Sequence, residues 1–575
     1  MPGFFAANCN DKEKIKLVNY CESNCLKGEM VCGELTIKRN ILNSFINDKL
    51  FFENEEIAVA TDGIILNSNK LLEKYEKNTL TELVELLAIT NKNFFSEFEG
   101  TFSGCVYYKC ENKIVAFTGP LGDHAVFYFY NEQLNCFALG SQLNYVVDYL
   151  EKIGIKMNED LHGISCFIDY GYFIDDSTGI KEVKRIYPGD YIEIDLNNKK
   201  IEVNSYYKIN VKEKDVPLDE AIENIDRAFC NAISRLANKN IEYGYKNLLD
   251  LSGGMDSRAI CYTAKRLGYE DTFMITYSQS NSNEEKIAKK IATNLGFDWY
   301  YKILDNGKCV TQIEDLMFMN SGTAYYIGIT GGKDFLEILN NHKVGIEFTG
   351  LLGDVKENTM TLEDGENPPS LLNPRYRTSK LRQLNKNTYS NRINEFKTHE
   401  IFWFYTRGML AGMSTFLTRQ NFVEPATPFG DKEFIEPFFS IPWKQRTENN
   451  ILLLWMEKKY PEAIRIPYAA TGISVKNDSA WYNVFKRRTK YYSKKILCKI
   501  NKKPVVNDMN PVDYWLSNKE ELVVFINDYY ENNFNNIKAS IEIKKRIEDL
   551  FVNASCFNDK MIALSAIAYY KLYLR

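Results

Sequence analysis

Several features that would assign this sequence to a class directly are missing from it. Its 575 residues contain no apolar run as long as a membrane span, which needs roughly 18 residues. The first residues, MPGFFAANCNDKEK, lack the basic segment followed by an apolar segment that is typical of a secretory signal. We therefore expect a cytoplasmic protein with no membrane partner.

A strong charge of one sign is also missing. The formal net charge is −5 at pH 7, so no overall basic field favours nucleic acid as a partner. One basic run, residues 485–503, is interleaved with tyrosines, and such runs are usually solvated helical faces. From these observations we expect no nucleic-acid partner.

The sequence offers little to a metal such as zinc. There are four histidines, and they do not cluster; we interpret them, His124 and His342 included, as structural. The 13 cysteines are odd in number and scattered, which predicts reduced thiols. Cys21, Cys25 and Cys32 lie near one another, but no CxxC pair or neighbouring histidine completes a zinc pattern.

What the sequence does contain is two contrasting regions. Up to about residue 205, short apolar runs alternate with Gly, Asn and Asp turns, which predicts a mostly β region. From about residue 215, helical patterns alternate with short apolar strands, which is typical of an α/β fold with a parallel sheet covered by helices. We predict three domains: residues 1–210, residues 215–480 and a helical extension at residues 481–575.

The second region can be divided into elements. LLDL, TFMITYS, WYYKIL and VGIEFTG are predicted strands, and DSRAICYTAKRLGY and NEEKIAKKIATNLG are predicted helices. The first helix would place Ile260, Ala264 and Leu267 on one buried face. The second would end at Gly296 and bury one face, made of Ile287, Ala288, Ile291, Ala292 and Leu295. Residues 358–400 are polar and are typical of a mobile insertion.

The junction between LLDL and the next helix has the sequence SGGMDS. Open α/β sheets bind ligands at such loops, and the unpaired N–H groups at a helix start attract phosphate. Gly253 and Gly254 let the backbone approach a phosphate, while Ser252 and Ser257 can donate hydrogen bonds. Asp256 would repel phosphates unless a cation lies between them, which predicts Mg²⁺ together with a nucleotide. The alternative is a glycine turn capped by Asp256.

The complete hexapeptide after an apolar strand is typical of enzymes that cleave ATP to AMP and pyrophosphate, and it lacks the lysine of a Walker loop. A second acidic residue, Asp354, follows the VGIEF strand in a loop with Gly350 and Gly353. Because loops at one edge of a parallel sheet converge, Asp354 could face Asp256 across one Mg²⁺. Aspartate in a glycine-rich loop is also a common turn residue.

These motifs resemble those of the asparagine synthetase family, and the resemblance covers most of the chain. SGGMDS matches the family's pyrophosphate loop, and TGLLGDV and EPATPFGDKEFIE follow in the family's order. The resemblance implies that Leu251, Ile275 and Gly350 line the adenine and ribose, and that Asp256 and Asp354 hold Mg²⁺. The family's late lysine, which steadies the transition state, has one candidate here, Lys476.

The first region is similar to the family's glutaminase domain, an α+β sandwich of the Ntn-hydrolase type. That domain uses the thiol of a cysteine at position 2, where this chain has Pro2, so the resemblance implies that glutamine is not hydrolysed. Ile64 and Leu80 stand where the family would hold the glutamine substrate.

Further departures concern the substrate. Leu351 replaces a family glutamate near the acyl-adenylate, and Ala426 replaces an arginine, while Glu424 and Pro428 remain. These differences argue against aspartate as the substrate. They fit relatives of other specificity, such as β-lactam synthetases, lasso-peptide cyclases and enzymes that amidate glycan carboxylates.

The expected function is that of an ATP-dependent ligase that adenylates a carboxylate, releases pyrophosphate and transfers the acyl group to an amine. Its partners would be a small-molecule, peptide or glycan carboxylate and an amine acceptor, and a homodimer is possible. Two alternatives stay open. One is a degenerate scaffold that binds nucleotide without turnover, and the other is a tRNA-modifying enzyme with the same kind of loop.

Overall fold

The computed structural model describes residues 2–8, 16–18, 20, 24–339, 343–353, 365–372, 384–448, 450–470, 472–475, 509–554 and 556–575. Two antiparallel sheets come first, a parallel sheet follows, and helices end the chain. The predicted order of β, α/β and helical regions is therefore confirmed. The predicted domain boundaries stay predictions.

The two antiparallel sheets have six strands each, in the orders β10-β8-β9-β1-β3-β2 and β12-β11-β7-β6-β5-β4. Their strands are β1 Gly3–Asn8, β2 Cys25–Cys32, β3 Leu35–Leu42, β4 Phe51–Glu53, β5 Ile57–Ile65, β6 Gly100–Tyr108, β7 Lys113–Thr118, β8 Phe127–Asn131, β9 Cys136–Gly140, β10 Lys184–Arg185, β11 Asp190–Asp195 and β12 Lys200–Ser205. We call this region, with its four helices, the antiparallel part.

The two sheets pack face to face because their strands are apolar on both sides. Along β1, Phe4 and Ala6 lie in the core between the sheets, whereas Phe5 and Ala7 pack on helices outside. The outer helices are α1 Ser68–Lys74, α2 Leu80–Thr90, α3 Leu143–Lys152 and α4 Leu161–Tyr170. The result is a four-layer helix–sheet–sheet–helix sandwich, as the sequence predicted.

Leu80 does not lie where it was expected. It is the first residue of α2, and it packs with Val59 and Leu83 against the outer face of the second sheet. Ile64 belongs to a different apolar cluster, together with Leu121. The interpretation that Leu80 and Ile64 replace two residues of one substrate pocket is therefore wrong, because the apolar stripe of α2 directs Leu80 onto the sheet.

The third sheet is fully parallel, with the order β15-β14-β13-β16-β17. Its strands are β13 Lys246–Asp250, β14 Thr272–Ser278, β15 Asp298–Ile303, β16 Val344–Phe348 and β17 Glu424–Ala426. From β13 the chain adds β14 and β15 on one side and later β16 and β17 on the other. This reversal defines a doubly wound sheet and confirms the predicted fold class.

Helices cover this sheet and fill the rest of the parallel part, as we call the region from α5 to α15. They are α5 Leu218–Glu242, α6 Met255–Arg266, α7 Asn283–Leu295, α8 Ile313–Met319, α9 Thr330–Leu336, α10 His399–Trp403, a π-helix Phe404–Gly412, α11 Ser414–Arg419, α12 Lys432–Ser440, α13 Trp443–Glu448, α14 Ile451–Lys459 and α15 Pro461–Arg465.

Two of these helices test the predicted faces. In α7 all five residues predicted to face inward are buried, and Gly296 ends the helix in the left-handed conformation. In α6, Ile260 and Ala264 are buried, but Leu267 is 37% exposed. Its assignment to the buried face was wrong, because α6 ends one residue earlier, at Arg266.

Four further helices lie near the end of the chain: α16 Val512–Asn518, α17 Glu520–Phe534, α18 Ile541–Val552 and α19 Phe557–Tyr573. Through Tyr569, α19 packs against Phe167 and Phe173 of the antiparallel part. The basic run at 485–503 lies outside the described residues. No helix within the described ranges combines the length and apolarity that crossing a membrane requires.

Part of the predicted insertion at 358–400 is hydrogen-bonded to buried carboxylates. Thr388 donates its hydroxyl hydrogen to Asp169 at 2.5 Å, and the backbone N–H of Asn391 donates to Asp175 at 2.9 Å. Both acceptors belong to the antiparallel part. Buried carboxylates thus bind donors of this segment, and the mobility of residues 358–400 stays a prediction.

A histidine holds the same segment. The imidazole of His162 stacks on Tyr389 with ring centroids 4.0 Å apart, and its Nε2 lies 3.3 Å from Asp175. Burial lowers the pKa of His162, but Asp175 and the carbonyl of Asn387 raise it by more, so the net pKa lies above the ordinary value of 6.5. The ion pair thus stabilises the fold below the unfolded pKa and is lost as pH rises through the folded pKa.

We therefore expect hydrogen-exchange protection of amides 385–391 to fall as pH rises from about 6 to 8. Protection factors, which remove the intrinsic pH dependence of exchange, are the measurement. The variant His162→Phe keeps the stacking on Tyr389 and removes the titration, so its protection should not vary with pH. A wild-type profile as flat as that of the variant would contradict the role of His162.

Candidate active site

The loop between β13 and α6 is closed by its own serines. The hydroxyls of Ser252 and Ser257 lie 2.9 Å apart, and Ser257 also accepts the N–H of Ser252 at 3.0 Å. Gly254 caps α6 and donates its N–H to the Ser252 hydroxyl at 3.1 Å. The loop is thereby held with the start of a 12-residue helix at the carboxyl edge of the sheet, a geometry that attracts anions.

Gly253 is required by close packing. A Cβ atom at this position would lie 2.3 Å from the Cβ of Ala469, so no side chain fits. Its N–H donates to the carboxylate of Glu284 at the start of α7. Gly253 is predicted to let the backbone approach a phosphate, and its N–H can bind that phosphate only if Glu284 moves away. The pair therefore makes Glu284 part of the candidate site.

Arg258 stabilises the SGGMDS loop through hydrogen bonds to backbone carbonyls, a role that was not predicted from the sequence. Its fully buried guanidinium donates to the carbonyls of Gly253 at 2.9 Å, Ala463 at 2.9 Å and Ile466 at 2.8 Å. Burial lowers the pKa of Arg258 to about 10, so the group stays charged at neutral pH. An arginine after an Asp-Ser pair gives no signal in sequence, because two of its partners, Ala463 and Ile466, lie about 200 residues away.

The opposite wall is the loop after β16. A Cβ atom at Gly350 would lie 2.9 Å from the Cβ of Asp256, and one at Gly353 would lie 2.8 Å from the same atom. Both glycines therefore allow this loop to pack directly on Asp256. Asp354 and Lys476 lie outside the described residues, so their predicted roles stay predictions.

Between the two loops lies a cavity of about 240 Å³. Six of the eight residues predicted to bind nucleotide line it; Gly253 and Gly254 belong to the loop but not to its lining. The lining residues are Asp250, Leu251, Ser252, Asp256, Ser257, Ile275, Tyr277, Thr349, Gly350, Leu351, Thr415, Arg419, Met509 and Asn510. Residues from four loops or strand ends thus meet in one cavity.

One end of this cavity is unexpectedly charged. Arg419 contacts the buried carboxyl group of Glu347, lies 3.0 Å from Asp250 and donates to the hydroxyl of Tyr277 at 2.9 Å. Asp250 and Glu347 interrupt apolar strands, which is a signal that sequence analysis could have used, since buried carboxylates require partners. Arg419 on its own gave no such signal.

Burial changes the pKa values of two residues at this end of the cavity, Glu347 and Tyr277. Burial raises the pKa of Glu347 well above its usual range, although Arg419 acts in the opposite direction. Burial also raises the pKa of Tyr277 to about 12. Removing Arg419 would leave buried carboxyl groups without a cation, which typically costs about 3–5 kcal/mol.

The end of the cavity near Arg419 also has buried polar atoms without hydrogen-bond partners among the described residues. Among the described residues, the hydroxyls of Thr349 and Thr415 are buried and accept or donate no hydrogen bond. Both residues line the cavity. Since buried polar atoms normally have partners, these atoms are available to a polar ligand.

A second arrangement has the residue types of a catalytic triad but cannot act as one. The thiol of Cys166 lies 3.7 Å from His162, which in turn lies near Asp175. Burial raises the pKa of Cys166 well above its usual range, so the thiol stays protonated, and the structure leaves it no exposed surface. All cysteines in the described ranges are free thiols, as predicted.

Comparisons with known proteins agree with the resemblance found in the sequence. A family model described as asparagine synthase matches residues 229–328, which include β13 and the SGGMDS loop. Residues 229–328 are therefore similar to asparagine synthases, a family of ATP-using ligases. No curated protein matches the chain.

Solved structures give a weaker likeness. One, described as the structure of the allosteric regulatory enzyme of purine biosynthesis, shares 11% identity and a TM-score of 0.23. The match covers 52% of this chain and 74% of that chain. At that TM-score the likeness is too weak to guide the assignment of the site.

Proposed function

We propose that this chain is an AMP-forming ligase that uses ATP to join a carboxylate to an amine, without hydrolysing glutamine. The observation that carries the proposal is the cavity at the carboxyl edge of the parallel sheet. It brings together the start of α6 and the SGGMDS loop, which lie in the segment matched by the asparagine synthase model, and the glycine loop after β16.

In this proposal the SGGMDS loop binds the phosphates of ATP. The N–H groups at the start of α6 and the hydroxyls of Ser252 and Ser257 hold the leaving pyrophosphate. A substrate carboxylate attacks the α-phosphorus, and an amine then attacks the resulting acyl-adenylate. Leu251 and Ile275 give the base an apolar contact.

The residues at the phosphate end fit Mg²⁺. Asp256 and Ser257 offer the oxygen ligands that this ion prefers, and Asp354 is proposed as a second carboxylate. When bound, Mg²⁺ would neutralise the charge of the pyrophosphate. Among the described residues, no group of three or more His, Cys, Asp or Glu side chains forms a metal site by itself, so the nucleotide would complete the ligand set.

The amine step needs a group that accepts a proton. Leu351 lines the cavity and has no acid–base chemistry, whereas Asp250 lines the same cavity and is held by Arg419. We assign the proton transfer to Asp250, which contacts Arg419 beside Glu347. The absence of an acid at Leu351 also favours the second candidate function, a scaffold that binds ATP without turnover.

The N-terminal strand supports the absence of glutaminase chemistry. Pro2 precedes β1, is buried and carries no nucleophilic atom. Cys105 lies on β6 in the same sandwich, but burial raises the pKa of its thiol to about 12, so it stays protonated. Among the described residues of this sandwich we find no activated thiol, and the amine would bind from solution.

The charge of Asp256 should decide turnover. Replacing Asp256 with Asn keeps the shape and removes the charge, so carboxylate-dependent ATP–pyrophosphate exchange should fall by about 10²–10³-fold. Asp298→Asn is the matched control, because Asp298 is exposed at the opposite edge of the sheet. Exchange in Asp256→Asn within twofold of wild type, or formation of ADP instead of AMP, would contradict the proposed reaction.

Glutamine should not serve as the nitrogen donor. We expect glutamate release from glutamine by the purified protein to equal the rate without enzyme, because no activated nucleophile stands at the start of β1. Enzyme-coupled detection of glutamate measures this directly, with ammonium chloride as the parallel nitrogen source. Release of glutamate in proportion to AMP would disprove this part of the proposal.

A further inference from the structure

A fully buried lysine connects the antiparallel part to the parallel sheet. The Nζ atom of Lys49 lies 2.5 Å from the carboxylate of Glu424, the first residue of β17, and 3.6 Å from that of Asp62 on β5. It also donates to the carbonyl of Leu42 at 3.0 Å. His124 adds a weaker contact, with its Nε2 3.6 Å from Glu424.

Stability alone does not explain the ion pair between Lys49 and Glu424. Burial lowers the pKa of Lys49, but Glu424 and Asp62 raise it by more, so the lysine stays charged in a site without solvent. Well-packed apolar residues of similar size often stabilise a fold as well as a buried ion pair does. A short, directed ion pair does however fix the relative position of the two groups that it joins.

Strand β17 is in turn bonded to the glycine loop of the candidate site. The N–H of Thr349 donates to the carbonyl of Ala426 at 2.9 Å, and the hydroxyl of Thr427 donates to the carbonyl of Leu351 at 2.5 Å. These two bonds hold the loop on either side of Gly350. A displacement of β17 would therefore displace the loop.

Where it meets Asp256 and Phe429, the loop is too tightly packed to absorb such a displacement. Gly353 packs against Phe429 on one side and Asp256 on the other, where an added Cβ would lie 2.7 Å and 2.8 Å from the nearest atoms. Close-packed interiors transmit small shifts instead of damping them. The position of β17 thus sets the position of the loop against Asp256.

We propose that Lys49 is a positioning residue for nucleotide binding, which acts through Glu424, β17 and Thr427 on the loop at residues 349–353. The inference rests on the proposed function, because the loop is part of the proposed nucleotide site. It gives the antiparallel part a role that requires no glutaminase chemistry: it supplies the cation that holds the carboxylate of Glu424.

The structure contains a matched control. Lys239 on α5 and Asp48 form another buried ion pair between the same two parts, at 2.8 Å, with both side chains 2% exposed. Asn240, the next residue, bonds to Asn247 at 2.8 Å, near the start of β13 and hence at the edge opposite the cavity. Loss of Lys239 should weaken the fold without displacing β17.

The test compares Lys49→Met with Lys239→Met in the full-length protein. Both variants should lower the urea midpoint of unfolding by similar amounts. Calorimetric titration with ATP and Mg²⁺ should show binding about tenfold weaker in Lys49→Met, because misplacement of a site by a fraction of an ångström is costly. Binding in Lys239→Met should stay within twofold of wild type.

A milder variant tests the same connection without leaving a buried charge. Thr427→Val removes the hydroxyl bond to Leu351 and should weaken ATP binding by about fivefold, since it loosens only one of the two bonds. Because both changes act through one connection, the double variant should bind ATP about as weakly as Lys49→Met alone. If Lys49→Met does not fold, the ATP affinity of Thr427→Val still tests whether the bond from β17 to the loop affects nucleotide binding.

Three results would overturn the inference. They are normal ATP affinity in folded Lys49→Met, normal ATP affinity in Thr427→Val, and an affinity loss in Lys239→Met equal to that in Lys49→Met. Failure of the wild-type protein to bind ATP with Mg²⁺ would instead disprove the proposed function and the inference with it. The titration of the wild-type protein therefore distinguishes failure of the proposed function from failure of the inference about Lys49.

Discussion

The order of the five parallel strands is the constraint on which the candidate site depends. The chain winds from β13 to one side and later to the other, so the loops after β13 and β16 leave adjacent strands at the same edge. No side chain can lie between them where Gly350 and Gly353 touch Asp256. The strand order places the phosphate loop and the glycine loop together, and the glycines determine how closely they approach.

The antiparallel part contributes buried charges to its contact with the parallel part. Pro2 precedes its first strand, and the cysteines of its core are buried. Its contacts with the parallel part include two buried ion pairs, Lys49 with Glu424 of β17 and Asp48 with Lys239 of α5. Buried charges of this kind are costly to break, so the interface constrains the sequence even where no reaction does.

Sequence patterns predicted the parts of the fold that depend on local periodicity. The inward face of α7 and its end at Gly296 were correct because a 3.6-residue repeat and a C-terminal glycine are local signals. The charged group of Asp250, Glu347 and Arg419 was missed because it joins residues that are far apart in sequence. Leu80 was misplaced because a register borrowed from a family does not show which face of a sheet a helix covers.

The most direct test of the account is a crystal structure with Mg²⁺ and a non-hydrolysable ATP analogue. The account predicts phosphates at the N–H groups that begin α6, with Glu284 turned away from Gly253 and the base against Leu251 and Ile275. A different position for the nucleotide, such as the cavity of about 540 Å³ that Tyr405 and Trp443 line, would contradict it.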